Sequence, residues 1–137
     1  MTFLLDTNVV SELRRRRPDA RVVSWLKRVE PAALSISVLT LGEIAKGAAQ
    51  CEARDRAQAA IYYEWLALVR ANYADRTIGI DAGVAEAWGR LAAKRPLPVI
   101  GGLLAATTLV RGLTLVTRNI GDFADLGISV LNPWDDV

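Results

Sequence analysis

Short apolar runs and stretches of helical period alternate along the whole chain. Residues 2–5 form the first run, closed by Asp6-Thr7-Asn8, and read as a short buried strand. Residues 9–16 are then predicted to be helical, with Pro18 as the stop. Asp19 is placed to cap a second helix, and Val22, Val23, Leu26 and Val29 mark its single buried face. Pro31 ends it, and Leu34-Ser35-Ile36-Ser37 alternates like a strand. Helices are predicted over residues 39–50 and 53–74, the second long and alanine-rich. A third strand over residues 77–80 precedes a helix capped by Asp81 and running to Ala93. Pro96 and Pro98 break the chain before an apolar helix over residues 100–110, which Gly112 closes. Residues 113–117 give the clearest strand, 119–125 a loop or short helix, and 128–131 a last strand before Asn132-Pro133.

Strands separated by helices predict an α/β fold, a short parallel sheet with helices on both faces. No repeat, low-complexity tract or linker divides residues 1–137, so one domain is expected. Ligands of such folds bind beyond the carboxyl ends of the strands. Asp6 follows the first strand directly, and Asp122 lies a few residues after the strand at 113–117. A metal site could be assembled there.

Composition narrows the chemistry. The chain has no histidine, which removes Ser-His-Asp triads, Cys-His pairs and histidine-ligated zinc. A general base must then be Asp, Glu, Lys or a metal-bound hydroxide. The single Cys51 cannot form an internal disulfide, which fits a reducing compartment. No run approaches a membrane span of about 18 apolar residues, and the N-terminus lacks the basic and apolar regions of a signal peptide. A cytoplasmic protein beginning near Met1 is the expectation. With 52% hydrophobic residues, the core needs no structural metal. Net charge is only +2, but Arg14, Arg15, Arg16 and Arg17 form a run. Arginine binds phosphate bidentately, so the run suits a nucleic-acid partner, and it equally suits a solvated helix end.

Taken singly, no acid declares a function. Asp6 could cap the next helix or point a carboxylate into the crevice above the sheet. Periodicity sets Glu43 opposite the stripe of Leu41, Ile44, Ala45 and Ala48, towards solvent and within reach of Lys46. Asp122 sits among ordinary turn residues. A haloacid-dehalogenase-like phosphatase would want a second aspartate at position 8, which is Asn8. A phosphoaspartate receiver is a further carboxylate-bearing α/β protein to weigh, and no GxxxxGK[ST] phosphate loop is present.

Read together, three segments form a pattern. Leu4-Leu5-Asp6-Thr7-Asn8, Leu41-Gly42-Glu43-Ile44 and Leu115-Val116-Thr117-Arg118-Asn119-Ile120-Gly121-Asp122-Phe123 resemble a PIN domain, most closely the VapC-type toxins of bacterial toxin–antitoxin pairs. The resemblance covers nearly the whole chain, including the element order and the proline-terminated tail. It implies a Rossmann-like sandwich whose acids collect Mg²⁺ or Mn²⁺ for hydrolysis of structured RNA, often transfer RNA. By the same resemblance Asp6, Glu43 and Asp122 are metal-site carboxylates, Thr117 and Asn119 line the pocket, and Asn8 supports Asp6. Arg14, Arg15, Lys46 and Arg118 are candidate phosphate contacts. A VapB-like antitoxin, homodimers and toxin–antitoxin hetero-oligomers are implied partners. Trp25, Trp65, Trp88 and Trp134 are expected in the core or an interface rather than as base-stacking platforms.

One position departs from the family pattern. An aspartate is expected at the start of the apolar helix after the proline-rich turn, and this chain has Gly101 there. Glycine in a helix costs roughly 1 kcal/mol relative to alanine, whereas aspartate in the first turn suits the helix dipole. Two explanations fit: deliberate replacement to disarm a toxic protein, and a naturally weakened member. Either predicts weak or absent cleavage. The competing expectation is a non-catalytic module that still binds RNA or its antitoxin.

Overall fold

The computed structural model describes residues 1–135. Its strands are β1 (Phe3–Leu5), β2 (Leu34–Ser37), β3 (Thr77–Ile78), β4 (Thr114–Val116) and β5 (Ser129–Leu131). Its helices are α1 (Thr7–Arg14), α2 (Ala20–Arg28), α3 (Val38–Glu52), α4 (Arg56–Asn72), α5 (Ala82–Lys94) and α6 (Val99–Arg111). The strands form one parallel sheet in the order β3-β2-β1-β4-β5. β1 is central, with Leu4 opposite Ser35 on one side and Leu115 on the other.

Both faces of the sheet are covered, because successive strand residues point to opposite sides. Phe3, Leu5, Ile36 and Val116 pack with Val9, Val22, Ile44 and Val69 from α1 to α4. Leu4 and Leu115 turn the other way, against Val84 and Leu91 of α5 and Leu104 and Ala105 of α6. Trp25 meets Phe3 edge-on, with ring centroids 5.1 Å apart. Pro133–Asp135 form a 3₁₀ turn that returns Trp134 to the core. No described helix is long and apolar enough to cross a membrane.

The predicted elements are all present, and their ends moved for identifiable reasons. α1 begins at Thr7 because the Asp6 carbonyl already accepts the Val9 amide. α4 begins at Arg56 because the Asp55 carboxylate accepts the Gln58 amide. Asp19 and Asp81 cap α2 and α5 as expected. Gly112 closes α6 at φ 64°, a left-handed conformation that glycine adopts without a Cβ penalty.

Two caps lead to predictions. The Ser37 hydroxyl, fully buried, accepts the Leu39 amide at the start of α3. Ser37→Ala should cost about 1 kcal/mol of unfolding free energy, read as a lower urea midpoint; an unchanged midpoint would show that the cap contributes nothing. Hydrogen bonds from the Arg21 side chain and amide hold the Asp19 carboxyl at about 2, below its usual 3.8. A depressed carboxylate stabilises the fold above its unfolded pKa, and that contribution disappears as pH falls through the folded value. The melting-temperature gap between this chain and Asp19→Asn should therefore be full above pH 4 and close towards pH 2. A gap constant across that window would exclude this linkage.

Candidate active site

The strand order reverses between β1 and β4, which is where open α/β sheets leave a crevice. Asp6 occupies that point, its amide continuing the ladder to the Val116 carbonyl at 2.9 Å. Its carboxylate does not cap α1. Instead Asp6 Oδ2 accepts the hydroxyl of Thr117 at 2.8 Å. Thr117, fully buried, also accepts the Asn119 amide at 3.1 Å and the Asn8 side-chain amide at 3.3 Å. The Asn8 side chain thus supports Asp6 through Thr117, while its backbone amide acts on the Asp6 carboxylate directly. Its own Oδ1 is buried with no partner among the described residues.

Glu43 corrects the periodicity reading. Glu43 is half-buried although its neighbours Gly42 and Lys46 are exposed, and the Thr7 hydroxyl of α1 donates to Glu43 Oε1 at 2.7 Å. Thr7 also lies 3.0 Å from the Thr40 hydroxyl. Lys46 forms no ion pair with Glu43 among the described residues; it is exposed and outside both crevices described below. Burial pushes the Asp6 carboxyl above its usual range, and the nearby Glu43 charge adds to the rise. The Thr117 hydrogen bond and the amides of Thr7 and Asn8 pull the other way without cancelling it.

Asp122 lies exposed in the 3₁₀ turn Ile120–Phe123. The Arg95 guanidinium pins that turn by donating to the carbonyls of Asp122 and Ala124, both at 2.9 Å. Asp6, Glu43, Gly101, Asn119 and Asp122 share one cleft of about 230 Å³. Among the described residues no three acidic, cysteine or histidine groups gather closely enough to hold a cation alone. The donor set nevertheless fits Mg²⁺, a hard cation that keeps several waters and is usually held by one or two carboxylates. A cation beside the mutually repelling Asp6 and Glu43 would offset both their repulsion and the burial of Asp6.

The glycines at 101 and 102 differ in kind. A Cβ at Gly102 would come within 2.9 Å of Trp88 Cδ1, so glycine is what allows the indole to pack on α6. A Cβ at Gly101 would meet only the Phe123 ring, at 3.8 and 3.9 Å, which is ordinary contact. Packing explains Gly102 and leaves Gly101 unexplained.

A second, larger crevice of about 630 Å³ also opens on Asp6 and Glu43. Asn8, Ser11, Glu12 and Arg15 of α1 and its extension line it, at the spacing of one helix face. Glu12 escaped the sequence reading because an acid beside four arginines looks solvated. It is buried, and its carboxylate accepts the Asp19 amide at 2.8 Å and faces Arg15 at 3.4 Å. The i, i+4 relation to Asn8 was the available signal. Arg16 and Arg17 lie outside this crevice and share a separate surface depression with Arg15. Arg14, Arg118, Tyr62, Trp65 and Trp134 complete the walls.

A parallel α/β fold with an acidic crevice at its switch point defines the class of protein, and comparison defines the family. The sequence matches the PIN domain family over residues 3–128, and the chain belongs to that family. It is 31% identical over 138 residues to the plasmid stability protein StbB of Pseudomonas syringae pv. tomato, covering 97% of this chain and 99% of that one. It is 32% identical over 139 residues to the VapC ribonuclease Y4jK of Sinorhizobium fredii, covering 97% and 98%. Its fold aligns with the crystal structure of FitAcB from Neisseria gonorrhoeae at a TM-score of 0.88 and 29% identity, covering 98% and 99%.

Proposed function

We propose that this chain is a metal-dependent endoribonuclease toxin of a toxin–antitoxin pair, impaired at Gly101. One observation carries the reading: Asp6 and Glu43 are fixed by Thr117 and Thr7 at the strand-order reversal, in a crevice that also presents guanidinium groups. Asp6 and Glu43 would hold Mg²⁺ or Mn²⁺, with Asp122 contributing from the same cleft. Such a cation supplies an activated water and neutralises charge on the scissile phosphate. The chain's own part is positioning. Thr117 orients the Asp6 carboxylate, Thr7 orients Glu43, and Arg14, Arg15 and Arg118 bind phosphate oxygens.

An antitoxin that covers the acidic crevice belongs to the same reading. So does a homodimer, for which the exposed Ile61 and Leu68 of α4 and Leu109 and Val110 of α6 offer apolar surface. A second reading, a module that binds RNA or antitoxin without cutting, is favoured by the absence of a carboxylate at Gly101. Cleavage of an RNA panel by Gly101→Asp in Mg²⁺ or Mn²⁺, lost again on adding Asp6→Asn, would support the first. A panel left intact by every variant would transfer the case to the second.

A further inference from the structure

The larger crevice contains a feature that holding a metal does not require. The Arg14 guanidinium lies over two rings of α4, 4.4 Å from the Tyr62 centroid and 5.1 Å from the Trp65 centroid. The two rings are 6.2 Å apart and tilted by 54°, so they back the guanidinium like a shallow saddle. Arg14, Tyr62 and Trp65 all line the crevice that reaches Asp6 and Glu43. In the same crevice the Arg118 guanidinium lies 5.2 Å over the Trp134 ring. Among the described residues neither arginine has a carboxylate partner, although each is permanently charged.

Ring faces hold a guanidinium in place without neutralising it. What remains is a flat cation with in-plane donors, turned towards the crevice. A phosphate can take the donors, and a nucleobase can stack on the plane. Stacking is open only to a base already out of a helix, because a paired base shows no free face. We infer that Arg14, backed by Tyr62 and Trp65, forms a shelf for one unpaired nucleotide of the RNA, and that this shelf selects single-stranded over duplex substrate. The inference rests on the ribonuclease reading and deepens it, since it assigns specificity to residues outside the acidic cleft. Trp65 packs against the core, as the sequence leads one to expect, and lines the groove as well.

The test is equilibrium binding without divalent metal, so that cleavage plays no part. The probes are a labelled unstructured RNA of about 12 nucleotides, within the usual range for single-strand sites, and the blunt duplex of the same sequence. Arg14→Lys keeps the charge and removes the plane; Trp65→Leu removes one backing ring. Each should weaken unpaired RNA about 5- to 100-fold and weaken the duplex, which can use Arg14 only through its phosphates, by clearly less. Trp65→Phe, which keeps a ring, should retain most of the affinity. Arg14→Lys is a surface change that needs no refolding of the core, so it decides the matter if Trp65→Leu is unstable.

Unchanged affinity for unpaired RNA, or equal losses for both probes, would overturn the shelf. A loss confined to binding of the antitoxin chain would do the same and reassign the groove to that protein. If Gly101→Asp cuts RNA while Arg14→Lys binds as before, the shelf falls and the nuclease stands. If no variant binds or cuts RNA, both fall together.

Discussion

Gly101→Asp is expected to raise metal-dependent RNA cleavage at least about 10- to 100-fold, the range typical for restoring even an outer ligand of a metal site. The structure gives three reasons. Position 101 lines the cleft that holds Asp6, Glu43 and Asp122. A side chain fits there, because the nearest atoms to a Cβ belong to the Phe123 ring at 3.8 and 3.9 Å. The residue also sits in the first turn of α6, which has no acid of its own and whose dipole favours one. With Asp6 already buried and raised, a further carboxylate would strengthen the demand for a cation. Gly101→Asp should accordingly show a larger rise in melting temperature on adding Mg²⁺ than the present chain does.

The double change with Asp6→Asn separates site from side effect. Asparagine preserves size and still accepts from Thr117, but it removes the charge at the strand-order reversal. Activity gained at position 101 and lost again with Asp6→Asn would tie both residues to one centre. Equal turnover by this chain and Gly101→Asp would show that a carboxylate at 101 is dispensable, and the impairment reading would be wrong. Activity surviving Asp6→Asn would be worse, since the proposed metal site is built on that side chain.

Much of this was legible in the sequence because the fold's signals are local. Each strand is a short apolar run beside a turn residue, and Asp19, Asp81 and Gly112 announced helix ends through chemistry that acts within three residues. Asp6 was legible only in part: its place after the first strand left it between capping α1 and facing the crevice, and the contact with Thr117 decides for the crevice. Glu43 was not, for a general reason. Periodicity separates the face on the core from the face off it, and it cannot tell solvent from a crevice walled by another helix. Glu12 drew no reading from the sequence, and Trp65, expected in the core or an interface, does pack against the core cluster, yet both also border the groove. Such residues are fixed by contacts between α1 and elements far along the chain, and no spacing rule reaches that distance. The resemblance to the PIN family supplied what periodicity lacked, by placing Glu43 and Asp122 beside Asp6 before any contact was known. Gly101 shows the converse, since a departure from a pattern is visible only against the pattern.

The neighbouring glycines allow a sharp test of that distinction, because the same substitution should have opposite signs one residue apart. Gly102→Ala would place a Cβ 2.9 Å from Trp88 Cδ1, 3.0 Å from its Nε1 and 3.5 Å from Leu97 Cβ. The indole cannot simply swing aside. It packs with Leu97 against the cluster that includes Val84, Leu91 and Leu104, and its Nε1 is already buried without a partner among the described residues. Overpacking of this kind typically costs about 1–3 kcal/mol, more than the helix propensity of roughly 1 kcal/mol that alanine returns. At Gly101 the steric debt is absent, so Gly101→Ala should stabilise the chain by up to about 1 kcal/mol. Denaturant midpoints measured on the two alanine variants should therefore fall on opposite sides of the parent. If both rise, α6 has room to shift away from Trp88, and Gly102 is no more constrained than its neighbour. If both fall, Gly101 has a structural role that its contacts do not reveal, and the idea that it merely replaces an aspartate loses its footing.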